Sequence, residues 1–472
     1  MSGIEIVSTD FLVYVFVAFW LYHFLPQQYK KLFLLLASYL FYISWGLEYF
    51  AVLIVFTTVN YYFARLLEKN PTAVLLTAAI SINAITFLVL KALVGPYGEN
   101  FFTVYLGAER AEELTALLLP VGFSFYILEG IAYLVDVYRR QLPAERNYLS
   151  LALYFAYFPK MLAGPIERSR SFLAESKKDI FLESHQVEEA GYLILLGLLR
   201  KVVVSDRLRL FLPVEIFSSP VIFSPVERIV WLLVFAFVLY NDFAGYSSIM
   251  RGVSMLFGIK LKINFMQPMF ARTFSDFWTR WHISLSEWLR DYVFFPVRRY
   301  LSRKHAPLLV MLVLPPLLTM LVSGYWHGAY LSIIVWGLLH GFYLVIEQIL
   351  QRKKILNSQG KYQWLNAVLV FFGTTFAWIF FLSLGMGPAK AFLSPMSTAT
   401  GIHIELVVFL ELLVLMSISL WCDLSEQKEA DLAFPRLWSP NKQGWFVAFV
   451  CISLLLSLSV GNDISGFVYQ GF

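Results

Sequence analysis

The chain has 472 residues, of which 59% are hydrophobic, 18% aromatic and 15% charged, with a formal charge of +5. Soluble domains carry about 25% charged residues, so this composition excludes an ordinary soluble enzyme. The modest positive charge lies in short clusters between apolar runs rather than in a stripe on a polar domain, which argues against nucleic-acid binding and for loops facing an anionic membrane leaflet.

Apolar runs recur at 11–25, 32–46, 49–66, 73–94, 115–138, 148–163, 187–204, 227–257, 306–324, 329–350, 364–384, 402–421 and 444–460. Many approach the roughly 20 residues that span a bilayer, and the period-two alternation of a membrane barrel is absent. The fold expected is an all-α polytopic membrane protein, with about a dozen transmembrane or re-entrant helices and interfacial amphipathic helices. The first run lacks both a preceding basic residue and an Ala-x-Ala exit, so it reads as a retained anchor. Lys30-Lys31, Arg65 with Lys69, Arg139-Arg140 and Lys160 through Lys178 fall on alternate loops and would share the cytoplasmic side. Gly46–Glu48 and Gly95–Glu113 would then face outward. No internal repeat and no separate polar domain is evident, so residues 1–472 read as one membrane domain. The motif-bearing core spans about 115–350, with helices 1–114 and 364–460 packed around it.

Three places interrupt the apolar pattern. Pro120-Val-Gly-Phe-Ser-Phe-Tyr126 and Phe158-Pro-Lys-Met-Leu-Ala-Gly-Pro-Ile-Glu-Arg168 place Pro and Gly at membrane depth, where irregular backbone survives only against protein or a water-filled cavity. Both read as cavity-lining segments, and a plain kink fits the first equally well. Val226–Gly258 would run ~50 Å as one helix, longer than the ~30 Å hydrocarbon core. It is expected to tilt, bend or split near Asn241, Asp242 and Gly245, with Asp242 facing the bundle interior or serving as an ion pair or cap.

Two histidines stand out. Read as one helix at about 100° per residue, Ser275–Tyr292 puts Phe277, Trp281, Leu285, Trp288 and Tyr292 in one sector. Asp276, Arg280, Glu287, Arg290 and Asp291 occupy another, with Asp276 and Arg280 at i,i+4. His282 falls at the border, beside Trp278, Ser286 and Leu289. His327 ends the apolar run that passes Pro315-Pro316, between Gly324 and Gly328, which would admit a close backbone or ligand. A neutral-pH proton acceptor is costly in hydrocarbon unless it is used or satisfied. Each histidine also fits a structural role, as a packed or capping residue. His340 and His23 read as packing or interfacial residues. Cys422 and Cys451 form no metal or redox spacing and read as small apolar fillers. Serine-hydrolase elbows, phosphate loops and His-Glu-x-x-His are absent.

The chain resembles the membrane-bound O-acyltransferase superfamily, nearest its bacterial alginate O-acetylation branch, with the D-alanyl transfer protein of teichoic-acid modification as a relative. The resemblance rests on Asp242-Phe-Ala-Gly-Tyr-Ser247, Asn264-Phe-Met-Gln-Pro268, Asp276-Phe-Trp-Thr-Arg-Trp-His-Ile-Ser-Leu-Ser286, Trp288-Leu-Arg-Asp-Tyr292 and Trp326-His-Gly328, in that order. Leu119-Pro-Val-Gly-Phe-Ser-Phe-Tyr126, Tyr133-Leu-Val-Asp-Val-Tyr138 and Ala163-Gly-Pro165 extend it upstream, so that it covers about residues 25–350. The resemblance implies a tunnel through the membrane, with His327 and His282 as the catalytic pair. One imidazole would act as base or acyl carrier. The other, with Asn241 or Asp242 nearby, would orient it, and Trp278, Arg280, Ser286 and Trp326 would support or line the tunnel.

The resemblance also implies a cytoplasmic thioester donor, acetyl-coenzyme A or an acyl-carrier thioester, with no tightly bound cofactor and no metal. The acceptor would be a cell-envelope polysaccharide hydroxyl, reached with an extracytoplasmic transferase partner from the bacterial inner membrane. Where the branch usually carries a Gly-Gly turn, this chain has the basic Phe295-Pro-Val-Arg-Arg-Tyr-Leu-Ser-Arg-Lys304. Arg298 and Arg299 would hold a donor phosphate there or mark the cytoplasmic interface. The rival within the superfamily is D-alanyl or other acyl transfer from a carrier protein. The rival outside it is a proton-coupled transporter or flippase.

Overall fold

The computed structural model describes residues 4–94, 103–104, 120–178, 182–354, 363–399, 401, 403–425, 435 and 438–459. The expected outward loop Gly95–Glu113 lies almost wholly outside them. Among the described residues the regular elements are all helical. Among the described residues, seven helices are long and apolar enough to cross a membrane: Leu47–Lys69, Ala73–Val94, Pro225–Leu256, Leu308–His327, Leu331–Arg352, Gln363–Leu382 and Leu406–Ser425. The chain is a polytopic membrane protein. On the shorter Thr9–Phe24 helix, Leu12, Phe16 and Trp20 recur at i, i+4 and i+8 and are exposed, whereas Phe11, Ala18 and Tyr22 are buried. An apolar stripe left bare in this way suits lipid rather than water.

The described residues divide into two compact units, one formed by the chain through Ile194 with Ser247–Lys262 and the other by Leu195–Tyr246 with the chain from Ile263. In the first unit, the basic loops come together. Tyr61 donates to the Arg146 carbonyl (2.8 Å), Ala144 N–H to Glu68 (3.2 Å), Lys31 to Ser150 (2.6 Å) and Lys177 to Glu145 (2.8 Å). Lys160 departs from that pattern. The run 148–163 is broken into Tyr148–Ala156 and Phe158–Met161, with a proline in the first turn of the second helix. The break turns Lys160 inward, where its Nζ lies 2.5 Å from Glu129 Oε2 and over the Tyr154 ring. The two Pro/Gly-rich segments cover each other: Gly122 has φ +77°, and a Cβ there would lie 2.3 Å from the Met161 carbonyl oxygen.

In the second unit, Leu195 onward passes into a π-helix, Leu199–Asp206, which carries Arg200 and Lys201 inward. Of the tilt, bend or split expected of the long helix, the split is absent: Pro225–Leu256 runs unbroken for 32 residues. Its polar residues are satisfied sideways. Arg200 donates to Asn241 Oδ1 (3.3 Å) and Asp423 Oδ1 (2.7 Å), Asn241 Nδ2 to Ser419 (2.8 Å), and Tyr240 to Asp423 (2.7 Å). Lys201 pairs with both Asp206 and Asp242 at 2.7 Å. A helix whose charges are neutralised by neighbours need not open its own backbone to satisfy them.

Leu308–His327 and Leu331–Arg352 pack backbone to backbone. A Cβ on Gly324 would lie 2.9 Å from the Ile333 carbonyl oxygen, and one on Gly337 only 2.3 Å from that of Met320. This is the small-residue contact by which membrane helices gain packing without a hydrophobic drive. Gly337→Ala is therefore expected to cost about 1–3 kcal/mol through overpacking and to lower the thermal midpoint of detergent-purified protein. Gly191→Ala, where nothing lies within 4 Å of the added Cβ, is expected to leave that midpoint unchanged or slightly raised.

Candidate functional site

His282 does not ride on a continuous helix. Phe274–Trp278 and Ile283–Leu289 are separate helices, and His282 stands between them at φ +41°, ψ 54°, in the left-handed region. That conformation costs a non-glycine residue about 1 kcal/mol and persists only where neighbours enforce it. The enforcing segment is Asn264–Met266. Met266 N–H donates to the Arg280 carbonyl (3.0 Å) and Ile283 N–H to the Asn264 carbonyl (2.9 Å). Ser284 donates to Asn264 Oδ1 through both its N–H (3.3 Å) and its hydroxyl (2.6 Å).

The start of the first short helix is held as firmly. Thr273 caps Asp276 N–H (3.0 Å), and Asp276 in turn accepts from Arg272 N–H (2.9 Å) and Arg280 Nε (2.7 Å). The expected i,i+4 pair is thus present, and Arg280 serves this turn. Glu347, from the Leu331–Arg352 helix, accepts from Phe274 N–H (2.5 Å) and Ser275 N–H (3.2 Å). A buried carboxylate on the first N–H groups of a helix is a favourable arrangement. Glu347 had given no sign in the sequence beyond being an acid in an apolar run.

His327 is the last residue of Leu308–His327, and Gly328 N–H closes that helix on the Gly324 carbonyl (3.2 Å). Pro315 and Pro316 remove two backbone donors from the helix, while the Thr319 hydroxyl donates to the Pro315 carbonyl (2.6 Å). His282 and His327, 45 positions apart in sequence, both meet the indole of Trp326. The ring centroids of His282 and Trp326 are 6.0 Å apart, and those of Trp326 and His327 are 4.6 Å apart. Both imidazoles are buried. His282 lies between spans rather than within one, and burial favours its neutral form, the form able to accept a proton.

The remaining expected residues fall into three groups. Trp278 and Ser286 both line a cavity of about 330 Å³, together with Glu287, Arg290, Thr319 and Met320. Trp278 packs on Trp336 (6.1 Å), which packs on His327 (5.2 Å). Asn241 and Asp242 engage Arg200, Ser419 and Lys201 as described, and their helix reaches the site through aromatic rings: Phe243 meets His282 at 4.8 Å and Tyr240 meets Trp281 at 6.1 Å. Arg298 and Arg299 are exposed on the Phe295–Arg303 helix, with Arg298 over the Phe294 ring.

His340, which had read as packing, is fully buried against Trp278 (5.1 Å), Trp336 (5.0 Å) and Phe277 (6.1 Å). Neither of its ring nitrogens has a hydrogen-bond partner among the described residues. Cys422 is buried and Cys451 exposed. Asn264→Ala is expected to release the left-handed turn, costing about 1–3 kcal/mol for the abandoned donors and most of the turnover. Asn264→Asp keeps the acceptor and should retain more of both, as read by thermal unfolding and acyl-transfer rate.

Residues 138–386 match the family model described as MBOAT, the membrane-bound O-acyltransferase family. A probable alginate O-acetylase of Pseudomonas fluorescens is 32% identical over 79% of this chain and 72% of its own length. A peptidoglycan O-acetyltransferase of Helicobacter pylori is 28% identical, covering 80% of this chain and 75% of its own. A teichoic acid D-alanyltransferase of Streptococcus thermophilus is 31% identical over 52% of this chain and 61% of its own. With the match spanning both buried histidines and the helices that hold them, the chain belongs to the membrane-bound O-acyltransferase family and is an O-acyltransferase.

Proposed function

We propose that this O-acyltransferase moves an acetyl group from a cytoplasmic thioester, acetyl-coenzyme A or an acyl-carrier thioester, toward a hydroxyl of a cell-envelope polysaccharide. It would do so in a bacterial inner membrane and with an extracytoplasmic transferase partner. The observation that carries the reading is the convergence of His282 and His327 on Trp326. Two buried imidazoles that meet the same indole suit proton transfer at a reacting oxygen bound beside them. The acetyl group is preferred to D-alanine because the relatives named for O-acetylation match about four-fifths of the chain, and the D-alanyl relative about half.

In the direct route, one imidazole takes the acceptor hydroxyl proton as that oxygen attacks the thioester carbonyl. The tetrahedral centre then collapses, the carbon–sulfur bond breaks, and the imidazolium returns its proton to the departing thiolate. If one imidazole instead carries the acyl group between two half-reactions, the same two residues are required. Asn241 and Asp242 act as positioning residues, through Phe243 on the His282 ring. The cavity lined by Trp278 and Ser286, though by neither histidine, would seat one substrate against the segment that carries His282, and positioning of that kind is a large part of what acyl transfer needs. Arg298 and Arg299, exposed near this segment, suit a donor phosphate or the interface itself.

His327→Ala is expected to lower acyl transfer about 10²–10⁴-fold while the protein is still made and inserted, measured as ester-linked acetate on the envelope polymer. Ordinary acetylation in cells carrying that variant would end the assignment. Purified protein offered labelled acetyl-coenzyme A, acetyl carrier protein and D-alanyl carrier protein in parallel is expected to turn over an acetyl donor fastest. A clear preference for D-alanyl carrier protein would transfer the reading to the D-alanyl branch.

A further inference from the structure

Lys30, Lys31, Lys177 and Lys178 stand around one cavity of about 290 Å³ in the first unit. Among the described residues lining it there is no carboxylate. Gln27, Gln28 and Ser176 add polar groups, and Leu34, Leu153 and Ile259 supply an apolar floor. The four ammonium groups arrive in two pairs from two elements. Lys30 and Lys31 lie in the first turns of Gln27–Ile43, a 17-residue helix that starts at Pro26 with no acidic residue in its first turn and no side-chain cap. Lys177 and Lys178 follow the Ser169–Glu175 helix.

We propose that this cavity is a binding site for a phosphate-bearing anion, the headgroup of an anionic phospholipid or a soluble phosphate ester. The proposal is independent of the acceptor assignment above. Lysine clusters at membrane surfaces usually act as diffuse interfacial charge. Here they are instead gathered around a bounded space with room for about ten water volumes, and so for a phosphate with its ester substituent. Lys30 is buried, with its Nζ over the Tyr22 ring, and a cation taken out of water gains from an anion placed beside it. Lys177 and Lys178 are more than half exposed, paired with Glu145 and Glu175 respectively. Surface pairs of that kind are worth little, which leaves both side chains able to swing onto a ligand. The helix start adds its positive end to the same space, and the apolar floor suits the glycerol and first methylenes of a lipid.

The test uses the full chain purified in a neutral detergent, native and Lys177→Gln/Lys178→Gln, with Lys31→Gln as a second variant. The thermal midpoint and retained ligand by native mass spectrometry are followed with phosphatidylglycerol, phosphatidylcholine and inorganic pyrophosphate. Tighter binding of phosphatidylglycerol than of phosphatidylcholine, weakened about fivefold for each lysine removed, supports the proposal with a lipid headgroup as the source. A pyrophosphate response lost in the variants, with the two lipids equal, supports it with a soluble phosphate as the source. Native and variant proteins that respond alike to all three probes would overturn it.

Discussion

A fully buried imidazole has little water to satisfy it, so its orientation must come from the groups packed on it and from the backbone that carries it. In this chain the controlling constraint is the left-handed turn at His282. Asn264 spends both its carbonyl and its side chain on the turn, accepting from Ile283 and Ser284. Glu347 fixes the preceding helix start from a different span. The Ser275–Tyr292 pattern would favour one straight helix by local propensity, and these tertiary hydrogen bonds override it. A break at that point aims the imidazole inward at Phe243 and Trp326 instead of leaving it on the border of an amphipathic face.

The second histidine is placed by a different device. Leu308–His327 delivers it at a helix end, and the register of that helix is set by glycines that let it touch Leu331–Arg352 backbone to backbone. Aromatic rings then fill the space between the elements. Trp326 and Trp336 both meet His327, and Trp336 extends the contact to His340. Indoles suit this use, because they bury a large apolar area with few rotatable bonds and favour edge-to-face contact. The ion network of Arg200, Lys201, Asp206, Asp242 and Asp423 is buried along the long Pro225–Leu256 helix. It lets that helix remain whole while presenting Tyr240 and Phe243 to the histidine segment.

The helical membrane class is readable from the apolar runs, and the motifs shared with the family mark His282 and His327, both of which meet Trp326. What the sequence hid is mostly tertiary. Periodicity at 275–292 carries no information about a segment ten residues upstream that inserts hydrogen bonds into it. Hydropathy marks Lys160 as a loop charge, because it cannot register that Pro159 turns the chain toward Glu129. Asn241 and Asp242 looked like a point of weakness in an overlong helix, and only the π-helical turn at Leu199–Asp206 supplies the cations that satisfy them. His340 reads as packing from its apolar run, and it packs on Trp278 and Trp336, but those partners are set in three dimensions.

The account stands on His282 and His327 acting as a single catalytic unit across Trp326, which a double-mutant comparison addresses directly. Acyl-transfer kcat/KM would be measured for His282→Ala, His327→Ala and the double variant, with folding of each checked by thermal unfolding. Residues that act as a unit give strongly non-additive losses, so the double variant is expected to be about as impaired as the worse single one. Losses that multiply, or a His282→Ala enzyme with native turnover, would contradict a shared site.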